Sequence, residues 1–190
     1  MQDKIFEDNN FENVDFTRET LEKGIYENCT FQSCNFNESD LADRIFIDCV
    51  FESCNLSLVK LKNVTFQEIE FRKCKMTGVR FEDCKTTLLS FKFDGCMLQL
   101  SSFIELKMEG TFFNDCNLQE VDFSGANLTN AIIRRCDLYK AIFDNTILEE
   151  ADLRTAEGYS IDPESNYIRG AKVSASGLPG LLDKYGLEIE

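Results

Sequence analysis

The sequence predicts an all-β fold, a solenoid of four-sided coils. Three observations predict it: a large apolar residue at every fifth position, a small or β-branched residue two places before it, and like residues recurring twenty apart. A helix repeats at about 3.6 residues and a strand at about 2, so neither yields a sustained period of five.

The series opens with Phe6, Phe11, Phe16, Leu21, Tyr26 and Phe31 and runs in step to Phe81. Thr86 breaks it and Phe91 restores it; after a two-residue slip it resumes at Leu98 and continues to Leu153. All nine cysteines lie two places before a series position, from Cys29 and Cys34 to Cys136. Val14, Val64, Val121, Ala126 and Ala151 occupy the same place in other units. Side chains two apart on an extended chain point the same way. Each unit therefore places one small and one large residue inward, with polar residues outside or at a corner.

A chain that turns inward every five residues winds around an axis, and the spacing of twenty gives four sides per coil. Phe11, Phe31, Phe51 and Phe71 repeat at that spacing, as do Cys34, Cys54 and Cys74, and Cys96, Cys116 and Cys136. Like side chains then stack in ladders, each coil held by its neighbours. About 7.5 coils at roughly 4.8 Å per paired strand give a rod about 36 Å long. With Lys92 and Phe93 taken as the extra pair, the register slip falls near residues 92–97. The cysteines share one inward phase and lack zinc-ligand spacing, so they read as small core residues. No metal or cofactor is expected.

Ala126-Asn-Leu-Thr-Asn, Ala151-Asp-Leu-Arg-Thr, Cys34-Asn-Phe-Asn-Glu and Cys116-Asn-Leu-Gln-Glu resemble the motif of the pentapeptide-repeat family. That resemblance covers residues 4–155, with Ile168 and Val173 weakly in phase, and implies a right-handed quadrilateral β-helix. The β-helix is expected over 1–175, its final coil (156–175) irregular, with a separate ending over 176–190. There Leu178, Leu181, Leu182 and Tyr185 stand at helical spacing, Pro179 suits a first turn and Gly186 an end. Leu187 to Glu190, with Leu187 and Ile189 apolar, reads as a short last strand. This ending resembles the family members that protect DNA gyrase: quinolone-resistance (Qnr), mycobacterial fluoroquinolone-resistance, and albicidin and microcin immunity types. The resemblance implies a homodimer built through the terminal helix and strand; by its residues alone the helix either caps the tube or caps it with some apolar side chains and dimerises with others.

With 34 acids against 20 bases the net charge is −14, which argues against direct binding to nucleic acid. Histidine is absent, and there is no nucleophile motif or glycine-rich phosphate loop, so an enzyme is not expected. No apolar run approaches a membrane span, and the first residues do not read as a signal peptide, so a soluble cytoplasmic protein is expected. The acidity reads either as a solubilising surface or as mimicry of DNA. Duplex DNA would carry about 21 charges over about 36 Å. Under mimicry, the resemblance implies binding to gyrase or topoisomerase IV and protection from drugs or toxins. The outward acids beside the terminal end are the candidates: Asp115, Glu120, Asp122, Asp137, Asp144, Glu149, Glu150 and Asp152. The basic stretch Lys60, Lys62, Arg72, Lys73, Lys75, Arg80 and Lys85 departs from a uniform mimic. The alternative is an interaction scaffold for another protein.

Overall fold

A computed structural model describes residues 4–188. The short strands are β1 (Ile5–Glu7), β2 (Asn10–Glu12), β3 (Ile25–Glu27), β4 (Thr30–Gln32), β5 (Ile45–Ile47), β6 (Val50–Glu52), β7 (Thr65–Gln67), β8 (Ile69–Arg72), β9 (Phe91–Asp94), β10 (Phe112–Asn114) and β11 (Ile132–Arg134). All pair in parallel with the coil above or below, in two sheets ordered β1-β3-β5-β7 and β2-β4-β6-β8-β9-β10-β11. Isolated parallel bridges such as Asn35↔Asn55 and Ser102↔Asp122 extend the same pairing to the other two sides. The molecule is a parallel β-solenoid with four faces, here numbered in chain order by Phe6, Phe11, Phe16 and Leu21.

The interior is a set of ladders. Along the second face Phe11, Phe31, Phe51 and Phe71 stack at ring separations of 4.7, 4.7 and 5.2 Å, and Phe93 and Phe113 continue the column at 5.3 and 5.0 Å. Phe81, Phe103, Phe123 and Phe143 form the later part of the fourth-face column. Rings of adjoining faces meet edge to face, as Phe103 meets Phe113. The stacked and T-shaped geometries are both favourable for aromatic pairs. The cysteines are buried thiols, and six of them, Cys34, Cys54, Cys74, Cys96, Cys116 and Cys136, line one edge of the third face.

The corners explain the rest of the repeat. The second residue after almost every large one has positive φ: Asp8, Asn13, Glu38, Leu58, Leu100, Glu120 and Lys140 are among them. That conformation is unfavourable for residues with a Cβ. The coil above compensates, because the strained residue's own N–H donates to its carbonyl, as Glu38 does to Ser57 and Leu100 to Gln119. The Asp or Asn before the large residue caps the corner. Its side-chain oxygen accepts the N–H two residues on: Asn55 from Ser57, Asn117 from Gln119, Asp122 from Ser124.

The register slip lies earlier than the sequence phase suggests. Phe71 pairs with Phe93 and Ile69 with Phe91, whereas Thr65 still bridges Lys85. The two extra residues therefore fall within 86–90, and Phe93, not Phe91, carries the second-face column. Thr86 turns out to solvent, and Phe91 swings under the gap to meet Phe66 edge on at 5.7 Å. A polar residue cannot hold that interior place, so the chain bulges until an aromatic one can.

The ending is shorter than its apolar spacing suggests. Among the described residues of the ending only Pro179–Leu182 is α-helical (α1), continued by a 3-10 turn, Asp183–Tyr185, which Gly186 ends in the left-handed region. Leu187 and Glu188 are not in a strand; the remainder of the expected last strand, Ile189 and Glu190, lies outside the described residues. The segment sits tightly on the last coil. Ile161 N–H donates to the Gly180 carbonyl, and a Cβ at Gly180 would come within 2.0 Å of the Tyr159 carbonyl oxygen.

Candidate functional site

A packed tube has no interior for a ligand, so chemistry is confined to its outside and its ends. The depressions among the described residues are shallow and open, one of them about 580 Å³. Among the described residues no group of three or more Cys, Asp or Glu is placed to hold a metal, and no helix is long and apolar enough to cross a membrane. What the surface offers is charge and a few apolar side chains.

Coiling sorts that charge by face. The fourth and first faces adjoin along one edge. They carry Glu105, Asp122 and Asp144, and Glu109, Glu149 and Glu150, in the later coils. In the early coils they carry Glu22, Asp40 and Asp43, and Glu7, Asp8, Glu27 and Asp48. Lys60, Lys62, Arg80 and Lys85 interrupt this acidic half in the middle coils, where Lys60 bridges Asp40 in the backbone ladder and Arg80 pairs with Glu82 at 3.2 Å.

The eight acids singled out in the sequence are not brought together on one surface. Asp122 and Asp144 lie on the fourth face and Glu149 and Glu150 on the first, so these four share the acidic half. Glu120 and Asp137 are on the third face, and Asp115 and Asp152 on the second. Three of the eight are structural caps: Asp122, Asp137 and Asp152 accept from the N–H of Ser124, Tyr139 and Arg154. Two are already matched by a cation. Asp115 meets Arg135 at 2.5 Å and Asp152 meets Arg154 at 2.7 Å. Hydrogen bonding to Arg154 holds the Asp152 carboxyl down at about 2, and Arg135 lowers Asp115.

The sequence reading missed a continuation of the basic stretch. Arg72, Lys73, Lys92, Arg134, Arg135, Arg154 and Lys172 all lie on the second face. The signal was available, since Arg134 and Arg154 stand twenty apart. It missed a buried cation too. Arg44, 3 % exposed, takes an inward place where the pattern expects a small residue. Its Nε donates to the Leu21 carbonyl and its Nη1 to the Ala42 carbonyl, both at 3.1 Å.

At the end of the rod, Leu181 packs against the core, whereas Leu178, Tyr185 and Leu187 are exposed and Leu182 is half-buried. Lys184 clasps the segment to the last coil through Asp162 at 2.6 Å and Glu164 at 2.7 Å, and the Tyr185 hydroxyl donates to Glu164. Those bonds lower both carboxyls.

A parallel solenoid of four five-residue sides, with stacked rings inside and Asx-capped corners, defines a class of protein, the β-helix built from pentapeptides. Residues 24–93 match the profile described as "Pentapeptide repeat region", and residues 96–135 and 116–154 match "Pentapeptide repeats (8 copies)". The chain belongs to the pentapeptide-repeat family. Comparison with curated proteins finds no match. Among solved structures the chain is similar to a trypsin-treated variant of QnrB1, "a plasmid-mediated fluoroquinolone resistance protein". That match has 22 % identity and a TM-score of 0.50, covering 97 % of this chain and 99 % of that one. HetL, a pentapeptide-repeat protein involved in heterocyst differentiation regulation in the cyanobacterium Nostoc, matches at 13 % identity and a TM-score of 0.46, covering 90 % and 86 %.

Proposed function

We propose that this chain is a non-enzymatic acidic rod that binds a type II DNA topoisomerase, DNA gyrase or topoisomerase IV, in place of DNA, and so protects it from a drug or toxin. The observation that carries this reading is the excess of carboxylates over cations on the fourth and first faces. In the coils beside the terminal segment, Glu105, Glu109, Asp144, Glu149 and Glu150 project from two adjoining faces, and none of them makes an ion pair with a described residue. A charge of −14 spread over about 36 Å is about two-thirds of the density of duplex DNA. Such a surface complements a cationic DNA-binding saddle in both charge and shape. The fluoroquinolone resistance attributed to QnrB1 is the phenotype this reading extends to a chain of the same fold.

In the same reading the rod is a homodimer, cytoplasmic, joined through its terminal segment. Leu181 caps the tube while Leu178, Tyr185 and Leu187 face the second copy. Light scattering at micromolar concentration should return twice the chain mass.

The decisive assay is supercoiling by purified gyrase with a fluoroquinolone, with and without the protein. Restored supercoiling, or inhibition in the absence of drug, supports the reading. Replacing Glu105, Glu109, Asp144, Glu149 and Glu150 by their amides should abolish the effect, and so should a few hundred millimolar salt. No effect on gyrase or topoisomerase IV would leave the chain a scaffold for a different protein.

A further inference from the structure

We propose that the second face, from Arg72 to Lys172, is a separate docking surface for an extended acidic peptide segment that carries a large apolar side chain. Between residues 70 and 172 this face holds seven exposed cations against four carboxylates, on a rod whose net charge is −14. Glu70, Asp115 and Asp152 are taken up by Arg72 and Lys92, by Arg135 and by Arg154. Lys73, Arg134 and Lys172 have no ion-pair partner among the described residues, so the face presents unmatched positive charge.

Apolar side chains stand among these cations. Phe112 and Ile132 are register partners of β10 and β11 and point outward, with Ile132 42 % exposed. With Ile133, Arg134, Arg154, Thr155 and Asp152, whose carboxylate Arg154 takes up, they line an open depression of about 460 Å³. The equivalent outward places in neighbouring coils hold Lys92 and Asp152. A large apolar group seated on Phe112 and Ile132 would have Lys92 on one side and, on the other, Asp152 already paired with Arg154.

The occupant follows from the charge arithmetic. A nucleic acid has uniform charge, about one per 1.7 Å of duplex, and would be repelled by the rod as a whole. It would also meet Asp94, Asp115 and Asp152 on this face. A short acidic peptide carries few charges, tolerates a face of mixed sign and supplies the apolar side chain that the depression fits. Charge complementarity of this kind sets specificity and association rate.

The test needs no topoisomerase, so its failure is distinct from failure of the proposal above. A fluorescein-labelled peptide of about ten alternating glutamates and leucines is titrated with the full-length protein at low salt and followed by anisotropy. Saturable binding is expected. Lys73→Glu with Arg134→Glu, both exposed and unpaired, should weaken it at least tenfold, and Ile132→Asp should weaken it comparably. Lys140→Glu, on the third face, should change it less than twofold. Circular dichroism and urea unfolding confirm that each variant is folded. Absence of binding, equal loss with Lys140→Glu, or tighter binding of a labelled oligonucleotide of matched charge to the same face would overturn the proposal.

Discussion

The residue that best shows how this fold is held is the one at each corner. Among the described residues, twenty-two other than glycine adopt positive φ, including Leu58, Leu88 and Leu100. A Cβ in that conformation costs roughly 1–2 kcal/mol, and the inter-coil hydrogen bond of the same residue offsets it. At Leu100, φ 62° and exposed, the side chain contributes little packing, so relief of strain decides the sign of a substitution. Leu100→Gly should raise stability by about 0.5 kcal/mol, the strain relieved less the entropy glycine loses. Leu100→Val should lower it by about 1 kcal/mol or more, because β-branching worsens the clash. Urea midpoints at constant slope measure both. The inward cysteines make the complementary case. Burial pushes the Cys49 thiol up to about 12 and raises that of Cys84 as well. All nine are buried, so a thiol reagent at pH 8 should find almost nothing in the native protein and all nine cysteines in denaturant. Rapid native labelling, or fewer than nine thiols after unfolding without reductant, would contradict a lining of free thiols.

Elements here are rungs and ends, and their legibility differed with the physics that sets them. The four-sided coil was readable because one inward residue in five must be apolar wherever the tube continues. The sequence phase places the slip near 92–97 rather than within 86–90, because both Phe91 and Phe93 are acceptable core residues and only pairing with Ile69 and Phe71 decides between them. Phe91→Ala should accordingly cost about 3–5 kcal/mol, the usual loss for a buried aromatic. Thr86→Ala, at a place turned to solvent, should stay within about 0.5 kcal/mol. Similar losses at both would mean that Thr86 is inside. The terminal segment was readable as helical but not in length, since Gly180 is set by the close approach of Tyr159 rather than by helix preference. Its clasp is electrostatic, and its pH dependence has a definite sign. Asp162 and Glu164 have folded-state values below their ordinary 3.8 and 4.5. Their contribution is complete above those values and is lost as pH falls through the depressed ones. Between pH 5 and pH 2 the nuclear magnetic resonance signals of Leu181 and Tyr185 should move toward random-coil positions before the core rings do. Lys184→Met should produce the same change at pH 7.

Taken as a whole molecule, the rod turns a sequence of scattered charges into faces of different sign, and this was the least legible level. Net charge along the chain reads −9 over 1–58, +3 over 59–91 and −8 over 92–190. Coiling cuts across those segments: it places Arg72 and Arg154 on one face and distributes the eight candidate acids over all four. A linear count cannot see this, because outward neighbours in space are twenty residues apart. The consequence for the molecule is a competition between two electrostatic effects. Its ion pairs are mostly exposed, such as Lys4 with Glu22 and Lys23 with Asp43, and pairs of that kind contribute about 0–1 kcal/mol each. Against them stands mutual repulsion among the excess acids of the fourth and first faces, which self-repulsion of a high net charge makes destabilising. At low ionic strength, where the Debye length is about 30 Å at 0.01 M, the whole acidic half repels itself; at 0.5 M only near neighbours interact. Repulsion involves more charges than pairing does, so added sodium chloride should raise the unfolding temperature by several degrees over that range. The charge-neutralised variant Glu105→Gln, Glu109→Gln, Asp144→Asn, Glu149→Gln and Glu150→Gln should start higher at 0.01 M and gain less from salt. A fall in unfolding temperature with salt in the native chain would show instead that the pairs outweigh the repulsion, and that the acidic half is already neutralised within the rod.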